Sequence, residues 1–371
     1  MTGSKERAKI AMAGGTPDRV PVIPQICPPH AIRVAGLPYQ ETIVDRLEHP
    51  EKYDLLVPDC AAAYGVDGFR VWLGAEPQKI EWDGTVAYAV DPASGERLGS
   101  VDFNGGGGVL TLPEKKRQLE EQDIEAIAVV PANQLMDGAA MGPARKAVKK
   151  YGDEYFIIGA PGQFTVETLC HEQGMEATLI DMLERPEFVR QWTERQLQAS
   201  IQRAIAMARI GVDAFYIGET FGQFMSADIF EQLCLPYFQR FVAELRPYGP
   251  LIYLHMCGRV THLLELMAAT GVDCIEPLDE VAGTQVAEVA KRIGGHVALM
   301  GGVSTIVLAR GSVEEVRQEC RRCIREAGKN GGYILAACDM LPTETEPEKV
   351  RAMIEIACRE GKYGSALPGT A

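Results

Sequence analysis

The sequence has no apolar run approaching the roughly 20 residues needed to cross a bilayer, and no excess of positive charge. Its 37 lysines and arginines face 51 aspartates and glutamates, a net charge of −14. A nucleic-acid or anionic-membrane surface is therefore not expected. No Gly-x-Gly-x-x-Gly follows the first extended segment, which argues against a dinucleotide-binding sheet. The glycine run at 105–108 has no lysine-serine pair or helix start behind it, so it reads as a loop and not as a phosphate cradle. The opening residues, Met1-Thr-Gly-Ser-Lys-Glu-Arg7, carry no apolar export core. The expectation is a cytoplasmic protein whose ten cysteines are reduced thiols or metal ligands, not disulfides.

An apolar content of 46% and a charged content of 24% leave ample material for a core. A length of 371 residues suits two average domains or one large barrel. Residues 4–14 read as a helix, 18–24 as an extended segment interrupted by prolines, and 40–64 as a long helix. Residues 78–112 alternate around turns at Asp83-Gly84 and Asp91-Pro92, the pattern of an antiparallel β-meander. From 123 onward, short apolar strands alternate with amphipathic helices, which indicates a parallel sheet. Strands centred near 20, 68, 156, 215, 252, 275, 298 and 334 number about eight, as a (β/α)₈ barrel requires. The expected fold class is thus α/β: one TIM-barrel domain over 1–371, with the meander as an insertion.

In such a barrel the carboxyl ends of the strands open on one face, where sites are assembled. Those ends carry Gln25, Gln163, Glu219, His255 with Cys257, Glu276 with Asp279, and Cys338 with Asp339. His255 and Cys257 stand two apart, on one side of a strand. With Cys338 and Glu219 they offer a nitrogen, two sulfurs and an oxygen, which suits tetrahedral Zn²⁺ better than an oxygen-seeking cation. Glu276 and Asp279 serve either substrate or loop backbone, and the sequence leaves both open. Cys320-Arg-Arg-Cys323 falls within a charged amphipathic stretch without a second pair, so it reads as a helix face. His30, His171 and His262 read as surface or supporting residues.

These residues resemble the uroporphyrinogen decarboxylase superfamily, and within it the branch of cobamide-dependent methyltransferases such as the methylcobamide:coenzyme M enzymes. The resemblance runs through Asp18-Arg-Val-Pro-Val22, Gly159-Ala-Pro-Gly-Gln-Phe-Thr165, Gly211-Val-Asp-Ala-Phe-Tyr-Ile-Gly-Glu219, His255-Met-Cys257-Gly258, Met300-Gly-Gly-Val303 and Ala337-Cys338-Asp339. The decarboxylases carry an arginine-rich segment after the first strand, where this chain has Ile23-Pro-Gln-Ile-Cys-Pro-Pro-His30. The resemblance implies a (β/α)₈ barrel with His255, Cys257 and Cys338 as zinc ligands and Glu219 as a fourth or exchangeable one. It further implies a corrinoid carried by a partner protein, and methyl transfer to or from a small molecule such as a thiol or methyl ether. A decarboxylase acting on a carboxylated substrate is the alternative. Direction of transfer and oligomeric state stay open.

Overall fold

The computed structural model describes residues 2–103, 111 and 117–364, so the glycine run at 105–108 lies outside the described residues. Strand β1 (Gly68–Val71) is followed by a three-stranded antiparallel sheet, β2 (Lys79–Trp82), β3 (Val86–Val90) and β4 (Arg97–Asp102). Then come β5 (Phe156–Gly159), β6 (Ala214–Gly218), β7 (Leu251–His255), β8 (Cys274–Glu276), β9 (Ala298–Val303) and β10 (Tyr333–Ala337). Among the described residues, β1 and β5 to β10 form one curled parallel sheet in chain order, with the meander as a separate sheet. The expected eighth stave, near residue 20, pairs only locally. Ile23 N donates to Leu335 O (3.1 Å), Leu335 N to Pro21 O (2.9 Å) and Asp67 N to Val22 O (2.9 Å), so this segment sits between β10 and β1. Pro21 and Pro24 lack an amide hydrogen, which limits the ladder it can form.

Period-two alternation divides the core into two layers. Ile158, Tyr216, Tyr253, Met300 and Ile334 pack inside the barrel, while Ile157, Ile217, Leu254, Leu299 and Leu335 pack outward under the helices. Helix positions follow the sequence pattern, but several expected long helices are broken. The stretch 40–64 divides into Tyr39–Glu48, a 3₁₀ turn at Pro50–Tyr53, and Leu56–Tyr64. Proline disfavours helix in the residue before it, so the helix ends ahead of Pro50. Gly174 separates Val166–Gln173 from Met175–Glu184, and a break at Cys234 separates Ala227–Leu233 from Leu235–Leu245, with Pro236 in the first turn of the latter. A helix at Pro28–Val34 was not anticipated.

The bottom of the barrel is fastened by a thrice-used Gly-Val-Asp, at 65–67, 211–213 and 271–273. Gly65 and Gly211 take positive φ (73° and 110°), which ends the preceding helix at no Cβ penalty. The valine is buried each time, and the aspartate reaches sideways to the neighbouring strand. Asp67 Oδ2 accepts from Val22 N (2.8 Å), Asp213 Oδ2 from Ile157 N (2.9 Å) and Asp273 Oδ2 from Ile252 N (2.8 Å). Each aspartate also meets a cation: Arg7 and Arg19 at Asp67, Lys5 at Asp213, Arg246 at Asp273. Only Asp67 is fully buried, with both arginines nearly so. Asp67→Ala should therefore destabilise the protein by about 3–5 kcal/mol in urea unfolding, because it strands the Arg19 guanidinium and takes one of two carboxylates from Arg7, which keeps Asp18 (2.6 Å). Asp213→Ala and Asp273→Ala, whose cations are more exposed, should lose clearly less; equal losses at all three would refute this ranking.

Candidate functional site

Alternation places His255, Glu276 and Arg70 on the inner face of β7, β8 and β1. His255 and Glu276 are register partners on adjacent strands. Their side chains meet: His255 Nδ1 lies 2.5 Å from Glu276 Oε2. Arg70 Nη2 stands 3.7 Å from the same oxygen. Gln25 joins them when its amide nitrogen faces Glu276 Oε1 (3.2 Å) and its oxygen accepts from Arg70 Nη1 (3.0 Å). All but Gln25 are buried to better than nine-tenths. Burial works against the Glu276 carboxylate, yet His255 and Arg70 outweigh it and hold its pKa below the usual range. Burial likewise opposes charge on His255, but Tyr216, Glu276 and Cys257 beside the ring raise its pKa well above the ordinary value.

Aromatic rings line the rest of the lumen. The Arg70 guanidinium lies 4.0 Å from the centroid of Tyr216 and 5.4 Å from that of Tyr253, within cation–π range. Tyr216 packs against Trp72 (5.2 Å), Tyr253 (5.6 Å) and His255 (5.5 Å between centroids). A small cavity of about 10 Å³, room for about one water, lies between Gln25, Arg70, Tyr253, Glu276 and Met300. Among the described residues, Arg70 Nε and the Tyr253 hydroxyl are buried without a hydrogen-bond partner.

Of the residues expected at the mouth, the structure brings His255, Cys257, Glu276 and Gln25 together, and leaves Cys338, Glu219, Gln163 and Asp279 with other partners. Cys338 shares the inward parity of Ile334 and Ala336, but its thiol accepts from Thr305 N at 3.4 Å. Burial first, and then the charge of Asp279, raises its pKa. The ligand atoms of His255, Cys257 and Cys338 do not all lie within 4.8 Å of one another. Among the described residues only Asp45, Glu48 and His49, on a more open helix end, meet that distance.

Gln163 Oε1 accepts from Gly218 N (2.6 Å), tying the loop after β5 to β6. Asp279 accepts from Gly258 N (2.9 Å) and Ala282 N (3.1 Å), so it organises loop backbone. Asp339, whose carboxyl is pushed up chiefly by burial, senses His255, Glu276 and Asp279. His30 is buried against Tyr64 (2.9 Å), and His262 meets Met225 O (2.8 Å); both are supporting residues. Cys320 and Cys323 form a buried helix face, as the sequence pattern implied.

Glu219 shares the parity of Phe215 and Ile217, which pack on the helix side of the sheet. Its Oε2 accepts from Glu167 N (3.2 Å) and its Oε1 from Phe221 N (3.1 Å). Complete burial, reinforced by the Glu167 charge, pushes its carboxyl up to about 8. A carboxyl with a raised folded pKa holds its proton in the native state, so its favourable contribution is complete below about 4.5 and is lost as pH rises through about 8. Glu219→Gln imitates the neutral acid. Its unfolding free energy relative to the parent protein should shift in the variant's favour between pH 5 and pH 9, by roughly a few kcal/mol. A difference that stays constant across that window would show that Glu219 is charged throughout.

Fold and site together define a TIM-barrel-like α/β protein with an imidazole, a carboxylate and a guanidinium side by side inside the barrel. Residues 100–360 match the model for uroporphyrinogen decarboxylase (URO-D). The chain belongs to the uroporphyrinogen decarboxylase family. It is 26% identical over 237 residues to the uroporphyrinogen decarboxylase of Myxococcus xanthus, covering 60% of this chain and 65% of that one. It is 28% identical over 217 residues to that of Methylococcus capsulatus, covering 56% of this chain and 60% of that one. The chain thus spans less than two thirds of the length of these relatives. Among solved structures, a methyltransferase from Methanosarcina mazei superposes with a TM-score of 0.70 at 20% identity, over 96% of this chain and 99% of that one. At that identity the likeness speaks for the fold. No helix among the described residues is long and apolar enough to cross a membrane.

Proposed function

We propose that the protein is a zinc-dependent methyltransferase. It would move a methyl group between a corrinoid carried by a partner protein and a small molecule, either a thiol or a methyl ether. The observation that carries this reading is the orientation of His255. Glu276 holds Nδ1, which leaves Nε2 as the donor nitrogen, with the Cys257 thiol near the same ring. A carboxylate bound to the far nitrogen is how proteins commonly fix the tautomer and direction of a metal-binding histidine.

The donor set fits zinc in chemistry: His255, Cys257 and Cys338 supply one nitrogen and two sulfurs and leave a fourth position for substrate. Zinc held there would act as a Lewis acid on the substrate heteroatom. The chain's own residues do the rest. Glu276 holds the proton at His255 Nδ1, Arg70 offsets the Glu276 charge, and Tyr216 and Tyr253 keep the lumen dry around them. Glu219, turned to the helix side, contributes to the fold of the loop after β6.

A second reading, decarboxylation, draws on Arg70, a buried cation inside the barrel whose Nε makes no hydrogen bond and which would pair with a substrate carboxylate. The two readings separate in one assay. Mixing enzyme, cobalamin and candidate thiols or aryl methyl ethers should make or remove the methylcob(III)alamin spectrum, whereas a decarboxylase releases carbon dioxide from uroporphyrinogen and tolerates His255→Ala.

Metal analysis should find about one zinc per chain, lost in Cys257→Ala and Cys338→Ala. Glu276→Gln should keep the ligands but lower zinc affinity by about 10- to 100-fold. Full methyl transfer by metal-free protein would end the zinc reading.

A further inference from the structure

Arg46 is a partly buried arginine that, among the described residues, makes no ion pair, hydrogen bond or ring contact. Neighbouring carboxylates are already engaged. Asp54 pairs with Lys146 (2.8 Å), and Asp45 with Lys52 (3.0 Å) and the Tyr53 hydroxyl (2.6 Å). Arg195 and Arg203, which also lack a carboxylate, reach backbone carbonyls instead (2.9 and 2.5 Å), and Arg46 does not. Burial lowers its pKa, and only Tyr53 and Cys27 oppose that. A guanidinium keeps its charge at any ordinary pH, so five donors stand ready for an anion.

Arg46 lines a cavity of about 100 Å³ between the helix Tyr39–Glu48, the start of Leu56–Tyr64 and the segment after β1. The walls are largely apolar, with Pro28, Leu56, Pro58 and Trp72 among them, and their one carboxylate, Asp54, is the one paired with Lys146. Arg70 lines both this cavity and the one inside the barrel. Trp72, 42% exposed, stacks near Arg70 (5.4 Å) and Tyr216 (5.2 Å). A ligand anchored at Arg46 would therefore lie beside Trp72 and Arg70, whose side chain also lines the small cavity inside the barrel.

We propose that this cavity is a binding site for a small organic carboxylate with a flat apolar body, its carboxylate held by Arg46 and its body lying along Trp72. Identifying that molecule with the methyl-transfer substrate rests on the function proposed above; the binding itself does not.

The test is calorimetric titration of the full-length protein as purified with benzoate, alongside benzamide and inorganic phosphate, with Trp72 fluorescence as a second signal. Saturable benzoate binding is expected, with benzamide at least about tenfold weaker, since a lost charge-assisted bidentate contact is of that order. Arg46→Met should weaken benzoate about tenfold or more, and Arg46→Lys several-fold, because lysine keeps the charge without the fork. Cys257→Ser should bind as tightly as the parent protein.

In the absence of benzoate, Arg46→Met should unfold at the same temperature or higher, because it removes an uncompensated charge. Should it fail to fold, Arg46→Lys decides: a several-fold weakening supports the proposal and unchanged affinity overturns it. No benzoate binding, phosphate binding in its place, unchanged affinity in Arg46→Met, or loss of binding in Cys257→Ser would each overturn it. Benzoate binding without any methyl transfer would leave this site standing and refute only the reaction.

Discussion

The barrel mouth depends on a single ionised carboxylate kept inside the barrel. Glu276 is 1% exposed, and a buried carboxylate without compensation would take up a proton instead. Here it is compensated three times over, by His255, Arg70 and Gln25. Arg70 in turn is tolerated because tyrosine faces surround it on the sides where Glu276 does not reach. Each member justifies the burial of the next, so the imidazole has one orientation and one free nitrogen. That preorganisation lies in the barrel wall, on three strands, and not in mobile loops.

The same strands are held in register from the opposite end. At each Gly-Val-Asp, a helix stops, a valine enters the outer core, and a carboxylate crosses to the neighbouring strand's amide. A one-residue slip would turn every inward side chain outward. His255 and Glu276 would then face helices. The bottom staples therefore bear on the chemistry at the top, although about a strand's length separates them.

Much of this was legible in the sequence, because strand and helix positions follow from hydrophobic period. The parallel sheet, the inserted meander and the inward pairing of His255 with Cys257 all come from that one signal. The helix expected over 40–64 was drawn too long, since its amphipathic pattern continues across the break ahead of Pro50. Arg70 was missed, although its signal was present: one arginine in the otherwise apolar Gly68-Phe-Arg-Val71, on the parity of Trp72. Glu219 shows the converse. Chemistry and strand-end position made it a ligand candidate, while parity, counted from Tyr216, already set it on the helix side. The shared tie of Glu276 to His255 and Arg70 could not be read, because it joins residues distant in the chain.

Charge links the proposed reaction to these placements. If zinc is bound as proposed, Arg70 and Glu276 would cancel, His255 would be neutral because the metal takes the place of its second proton, and zinc with two thiolates would add no charge. In a low-dielectric lumen that balance matters, because any surplus charge lacks water to stabilise it. A fourth anionic ligand would upset it, and Glu219 is both turned away and pushed toward its neutral form by burial. A substrate that arrives as an anion would upset it as well, unless a cation travels with it or waits for it. Under the binding proposed above, Arg46 would be such a cation, in a cavity whose lining it shares with Arg70. The decarboxylase arrangement, with arginines directly after the first strand, would put that positive charge in the lumen itself. Placing it one cavity outward, as the proposed carboxylate site does, would leave the inner site free for the proposed metal.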